Sequence, residues 1–316
     1  MSNKSNNQGR AYEFAFVLAL KEVIGSIRPV KIIDNSSLRV SRDAFDSLEI
    51  SERETYLVSA RAGVEKILDL EPLISEGNDK VSIEIQQDKK GEEGDVRDII
   101  IYRDYIRWEI GLSVKHNHFA VKHSRLSSNI DFGEKWYNIP CSDEYFESVN
   151  PIFERLRIEK TRGVKWNSMT DKVESVYVPI LEAFQKEIIN QCENNPELPT
   201  RLVEYLLGKF DFYKTISVDS EKMTRIQSYN LRGTLNRNGT IVKRQIEVPV
   251  VKLPTRIIAL EFKPGSGTTL ELYMDEGWQF SFRIHNASTV VEPSLKFDIQ
   301  IVGMPTTIMT IDSSWI

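Results

Sequence analysis

The run RDIIIYRDYIRWEIGLSVKH, Arg97 to His116, carries an aspartate and a lysine in two β-rich segments joined by a short loop. Alternation along the second segment puts Glu109, Gly111, Ser113 and Lys115 on one face and Ile110, Leu112 and Val114 on the other. With Asp104 to Arg107 as the loop, Arg103 opposes Trp108, Ile101 opposes Ile110, Ile99 opposes Leu112, and Asp98 falls opposite Ser113. That register keeps the isoleucines together and sets Asp98 one step from Lys115 on the polar face. Asp95 is an odd number of residues from Asp98, so it points to the other side unless a bulge intervenes. A carboxylate at 98 suits a hard cation such as Mg²⁺, which takes oxygen ligands and keeps several waters. Lys115 can then position or help deprotonate an attacking water while the ion stabilises charge on a phosphate. The chemistry this points to is metal-assisted hydrolysis of a phosphate ester.

The surroundings favour an anionic substrate. Between Glu109 and Asp131 there is no acidic residue, whereas Lys115, His116, His118, Lys122, His123 and Arg125 crowd there with Asn117, Ser124 and Ser127. From Lys222 to Leu260 eight lysines and arginines face Glu247 alone, 8 − 1 = +7 in a chain whose total is 41 − 46 = −5. Gln227, Tyr229, Asn230 and Asn236 interleave with these cations, a mixture suited to phosphate neutralisation and to reading base edges. A solvated sheet face is the bland alternative for the same residues. Three of the four histidines, at 116, 118 and 123, raise a His₃ zinc site, which we do not favour because the segments need not converge and no acidic partner is near.

These residues need elements to hold them. Ala11 to Ile24 has helical spacing, and Ser51-x-x-Glu54 reads as a capping box ahead of a helix from about Glu52 to Leu70. VSIEIQQD, RDIIIYR and RWEIGLSVKH follow as an antiparallel meander. Helices are expected near Phe119 to Ser127, where one would suit phosphate contact, and at Asp143 to Lys160, Asp171 to Cys192 with Pro179 interrupting, and Pro199 to Leu207. After Lys209 the chain turns strand-like: FDFYKTISV, TRIQSYNL, TIVKRQIEV, TRIIALEF, TTLELYM, WQFSFRIH and LKFDIQIV. In the sixth of these Trp278, Phe280, Phe282 and Ile284 face one way, and Gln279, Ser281, Arg283 and His285 the other.

The chain has 316 residues, 41% apolar and 28% charged, average globular usage that excludes wholesale disorder and coiled-coil arrays. Cys141 and Cys192 stand in no CxxC spacing, so a disulfide scaffold or cysteine zinc finger is not expected, and reduced thiols fit the cytoplasm. The polar start MSNKSNNQGR and the short apolar run after it read as neither a secretory signal nor a membrane span. No membrane partner is expected. We expect residues 1–208 to form an α/β catalytic core with helical segments and 209–316 a mostly β portion for DNA recognition.

The strings NQGRAYEFAF, GDVRDIIIYR, WEIGLSVKHNHFAVKHSRLS, DFGEKW, YLLGKFDFYK and GWQFSFRIHNAS, in this order from about Asn7 to Gly303, resemble the HaeIII family of restriction endonucleases. Asp98 with Ser113-x-Lys115 is similar to the PD-(D/E)XK nuclease core, in which an aspartate opens one strand and acid-x-lysine sits on the next. The resemblance implies an α/β (α+β) fold, a mixed sheet flanked by helices with a mostly β C-terminal portion. It also implies Mg²⁺-dependent double-strand cleavage of DNA at GGCC, with a cognate methyltransferase as a functional, not physical, partner that protects the host. Asp98 and Lys115 match the core; Ser113 stands where an acid is usual, so a carboxylate from elsewhere is required. Glu13 on the opening helix is the first candidate, to join Asp98 as a metal ligand. Glu109 shares the face but lies roughly 20 Å along an extended strand from Lys115, and Asp131 and Glu134 remain. His116, Asn117, His118, Lys122, His123 and Arg125 are expected to touch DNA. Base readers are sought among Arg225, Gln227, Asn230, Arg232, Arg283 and His285, since arginine addresses guanine N7 and O6 bidentately.

Other functions fit parts of the pattern. A non-catalytic DNA-binding protein on a degenerate nuclease fold would explain Ser113, and a small-molecule hydrolase would use the histidine cluster. Either a symmetric homodimer or a monomer acting twice would serve a palindromic site.

Overall fold

A computed structural model describes residues 2–87, 95–117 and 122–315. In chain order the elements are α1 (Ser2–Gly25), β1 (Val30–Ile32), α2 (Ser36–Asp46), α3 (Ile50–Leu70), α4 (Pro72–Ser75), β2 (Val81–Ile85), β3 (Ile99–Arg103) and β4 (Trp108–His116). They continue with β5 (Lys122–Leu126), α5 (Phe132–Tyr137), α6 (Asp143–Thr161), α7 (Val178–Asn194) and α8 (Leu198–Leu207). The last third holds β6 (Phe212–Val218), β7 (Met223–Tyr229), β8 (Ile257–Phe262), β9 (Thr269–Met274), β10 (Gln279–His285), β11 (Leu295–Gly303) and β12 (Thr310–Ser314). The architecture is mixed α and β, as expected of a nuclease-like fold.

The chain forms two compact units that interleave instead of meeting at residue 208. One comprises Met1–Phe119, Gly208–Lys252 and Thr306–Ile316, the other Ala120–Leu207 and Leu253–Pro305. The difference from the expected divide has a plain cause: β6 and β7 complete the sheet that β4 begins, so the start of the β-rich part belongs with the first third of the chain. In the first unit the strand order is β1-β2-β3-β4-β6-β7-β12. β2, β3 and β4 form the antiparallel meander, β4 pairs with β6 in parallel, and β7 and β12 continue antiparallel. Ile99 pairs with Leu112, Ile101 with Ile110 and Arg103 with Trp108, the register the alternation predicts. One face of this sheet, with Ile83, Ile99, Ile101, Ile110, Leu112, Val114, Tyr213 and Ile226, packs with Tyr12, Phe16 and Leu20 of α1 and Tyr56, Val64 and Ile67 of α3. Burying a side chain of this size contributes about 1.5–3 kcal/mol relative to exposure, so α1 and α3 are held by their apolar faces.

The second unit carries an antiparallel sheet, β5-β11-β10-β9-β8. Trp278, Phe280, Phe282 and Ile284 are buried as the alternation predicts. Phe282 and Phe297 meet Phe184 of α7, at ring separations of 5.7 and 5.1 Å. Trp136 of α5 stacks on Tyr205 of α8 at 5.0 Å.

Several sequence-based expectations need correction. The segment predicted as a helix from Phe119 to Ser127 contains β5, whose residues Lys122 to Leu126 pair with Ile299 to Leu295 of β11; buried Ser124 and Leu126 flank exposed Arg125, a period of two. TIVKRQIEV is not a strand, because its N–H groups go elsewhere. Thr240, Ile241 and Val242 donate to the Glu76 carboxylate, Arg244 to the Asn238 side chain and Val248 to that of Asn236. α3 starts at Ile50, and its first turn is closed by the Glu52 carboxylate accepting from the Glu49 N–H at 3.4 Å, not by Ser51 and Glu54. Pro179 does not interrupt its segment: the backbone stays helical from a π turn at Val173–Tyr177 into α7, whose first turn holds the proline, where its missing N–H costs least. The elements β1, α2, α4, α5 and β12 have no counterpart in the sequence-based reading.

Candidate active site

Asp98 immediately precedes β3, fixed by its N–H donating to Leu112 O at 2.7 Å and its carbonyl accepting from Gln86 N at 2.9 Å. Three donors then converge on one of its carboxylate oxygens, Oδ2: Ser113 Oγ at 3.2 Å, Val114 N at 2.7 Å and Lys115 Nζ at 2.8 Å. The side chains of Lys115 and Asp98 are 29% and 22% exposed, so the pair is mostly buried yet reachable from solvent. Burial works against the charge on Lys115, but Asp98, with Glu13 at longer range, more than offsets it and holds the pKa above the ordinary lysine value. Glu13 thus shares the field of this pair from α1, and its carboxylate also accepts from Ser41 Oγ at 3.4 Å. Asp98, Ser113 and Lys115 are brought together, and Glu13 is their electrostatic neighbour.

The other acids considered are engaged elsewhere. Asp95 and Glu109 both bind Arg97, at 2.8 Å each, and Arg97 lies across Gly111 and over the Phe210 ring, 4.1 Å from its centroid. Asp131 caps α5 by accepting from Glu134 N at 2.9 Å. Among the described residues no group of three or more His, Cys, Asp or Glu side chains could hold a metal ion. A cation at Asp98 would therefore take few protein ligands. The three donors leave the second carboxylate oxygen, Oδ1, outside this cluster, and a hard, oxygen-seeking ion that retains most of its waters fits that donor set.

His116 and Asn117 extend β4 into a tied cluster. His116 Nε2 lies 2.8 Å from Asp219 Oδ2, its Nδ1 3.2 Å from the Tyr56 hydroxyl, and Asn117 Oδ1 accepts from Asp219 N at 3.1 Å. His118 lies outside the described residues, as does the side chain of His123. In the second unit Lys122 donates to Tyr205 O at 2.8 Å with its ammonium 3.6 Å from the Tyr205 ring centroid, and burial pushes its pKa down to about 8. Arg125 reaches Ser294 at 3.0 Å, and Arg283 pairs with Asp298 at 2.8 Å, with His285 Nδ1 at 3.5 Å from the same carboxylate. In the first unit Arg225 pairs with Asp312 at 2.8 Å, Gln227 is buried, and Arg232 is exposed. Asn230 is turned inward: it donates to Val248 O and Pro249 O and accepts from Leu235 N, bonds that hold the loop after β7 and occupy its amide.

Sequence reasoning missed Lys214. It pairs with Ser113 across the β4–β6 ladder and is 6% exposed. The available signal was a lone charge in the otherwise uncharged strand FYKTISV.

A mixed sheet whose central hairpin sets an aspartate against a lysine on its polar face has the α/β make-up of a nuclease-like fold. Comparison with known proteins gives the family. The chain belongs to the HaeIII restriction endonuclease family, whose profile matches residues 9–305, and is a type II site-specific deoxyribonuclease. It is 53% identical to the type II restriction enzyme HaeIII of Haemophilus aegyptius over 316 residues, 100% of this chain and 99% of that protein. No solved structure matches the chain. Among the described residues no helix is long and apolar enough to cross a membrane.

Proposed function

We propose that the chain cleaves double-stranded DNA at GGCC, hydrolysing the phosphodiester at the Asp98–Lys115 pair with Mg²⁺ as cofactor. The observation that carries this reading is the convergence of Ser113, Val114 and Lys115 on Asp98 Oδ2, a carboxylate held rigidly with a cation beside it. Asp98 and Glu13 would hold the ion, which when bound neutralises phosphate charge and makes a water more acidic. Lys115, tethered to Asp98, orients the attacking water and the phosphate by donating hydrogen bonds. Ser113 steadies the Asp98 carboxylate and has no charge with which to bind an ion.

Sequence selection falls to the basic residues. Arg232, Arg237, Lys243 and Lys252 lie on the irregular segment after β7, which carboxylates anchor at its base. Asp211 accepts from Arg232 N and Thr234 N at 2.7 Å each, and Glu76 accepts from Thr240 N at 2.9 Å. A backbone fixed this way presents its cations without a large ordering cost. Arg225, Gln227 and Arg232 in the first unit, and Arg283 and His285 in the second, are the proposed base readers. A host that makes this enzyme requires a methyltransferase of the same specificity, and the palindromic site suits two copies of the chain.

The test is digestion of a plasmid of known sequence with Mg²⁺, followed by sequencing of the ends, for wild type, Asp98→Ala and Lys115→Ala. Wild type should yield ends within GGCC, and each variant should lose about 10²–10³-fold or more in rate while keeping duplex affinity. Full activity in either variant would refute the site, and ends elsewhere would refute the specificity.

A further inference from the structure

We propose that Lys214 is a further catalytic residue, its ammonium set against the scissile phosphate in the place of a second cation. The proposal rests on the Asp98–Lys115 reading above. One row of residues crosses the sheet: Ser113 on β4 pairs with Lys214 on β6, Lys214 with Gln227 on β7, and the Ser113 hydroxyl donates to Asp98, just before β3. Paired residues in a ladder project to the same face, with neighbouring strands about 4.8 Å apart. The stem of Lys214 therefore rises beside Ser113 on the side that bears Asp98 and Lys115.

A lysine in such a position carries a desolvation cost that its surroundings must offset. β6 is buried along its whole length, and Lys214 is its single charged residue. Lysine is almost never fully buried without compensation. Burial pushes its pKa down to about 8, repulsion from Lys115 works in the same direction, and attraction by Asp98 opposes both. Those influences put the Lys214 ammonium in the same local field as the catalytic pair.

The chemistry has a use for it. As water attacks, a bond from its oxygen to phosphorus forms and the bond from phosphorus to the departing sugar oxygen breaks. One proton leaves the attacking water for solvent, and the departing oxygen takes one up. Negative charge grows on the phosphoryl and departing oxygens, where two-metal sites place a second ion. Here the position that would supply a second acidic ligand is Ser113, and the residue paired with it is already a cation. A fixed ammonium stabilises the growing charge without needing that ligand.

The deciding variant is Lys214→Met, of similar length and uncharged, run beside wild type and Asp98→Ala. Two measurements are made: single-turnover cutting of plasmid DNA, and Mg²⁺ titration of the protein without DNA. Removing a nearby positive charge should tighten Mg²⁺ binding, by roughly threefold to tenfold, yet slow cutting by about 100-fold or more. A structural lesion would weaken both. A folded Lys214→Met protein that cuts within threefold of wild type overturns the proposal, as does slow cutting with unchanged or weaker Mg²⁺ binding. Should Lys214→Met fail to fold, Lys214→Arg decides: it keeps the charge and should cut within about tenfold of wild type, and a folded, inactive Lys214→Arg protein overturns the proposal. Activity in Asp98→Ala, by contrast, would sink the underlying site whatever the Lys214 variants do, so the two failures are told apart.

Discussion

Each donor to Asp98 Oδ2 contributes differently, and the variants should separate accordingly. Ser113 Oγ, at 3.2 Å, is the longest of the three and neutral. A neutral hydrogen bond is worth about 0.5–1.5 kcal/mol net, so Ser113→Ala should cut DNA within about tenfold of wild type, measured under single-turnover conditions. A second residue-scale consequence lies away from the centre. Glu71 is fully buried, with Tyr213 Oη and Asn236 N donating to Oε1 at 2.7 Å each, and with no hydrogen-bond partner for Oε2 among the described residues. Burial raises its pKa from 4.5 to about 7, against the effect of those donors. The folded state therefore holds this proton more tightly than the unfolded chain. Its stabilising contribution is complete below about pH 4.5 and is lost as pH rises toward 7 and beyond. Urea unfolding across that range should show the loss in wild type, of about 3 kcal/mol, and its absence in Glu71→Gln.

At the scale of elements, β4 is the piece on which the site depends, and Gly111 is its most exacting position. A Cβ there would sit 1.9 Å from Arg97 Cδ, and Arg97 cannot retreat because Asp95, Glu109 and the Phe210 ring hold it. Overpacking of this kind costs about 1–3 kcal/mol. Gly111→Ala should lower the thermal midpoint, and cutting should fall with it because the next residue, Leu112, anchors Asp98. A variant with unchanged midpoint and rate would show that Arg97 has room to move. The β3–β4 hairpin was legible because its information is local: alternating isoleucines and a short loop fix one register. β5 and the segment from Thr240 to Val248 were not legible for the converse reason. β5 finds its partner at β11, far away in sequence, and the backbone donors of the other segment are claimed by Glu76, Asn236 and Asn238. Lys214 was missed on the same ground, since the parallel pairing of β4 with β6 spans the whole of the second unit's first segment and no local pattern announces it.

For the whole molecule, segregation of charge matters more than the total of −5. Duplex affinity should fall by about 10³-fold between roughly 50 and 200 mM salt, because each phosphate neutralised releases counterions. A flat response in a filter-binding or anisotropy titration would count against the basic segment after β7 as the DNA contact. The interleaving of the two units bears on how the enzyme is made. The sheet that carries Asp98 and Lys115 needs β6 and β7 beside β4, and its outer edge is closed by β12, whose Thr310 to Ser314 pair with β7. A polypeptide that stopped after β4 and before β6 would carry the acid and the lysine without the strand that flanks them in the finished sheet.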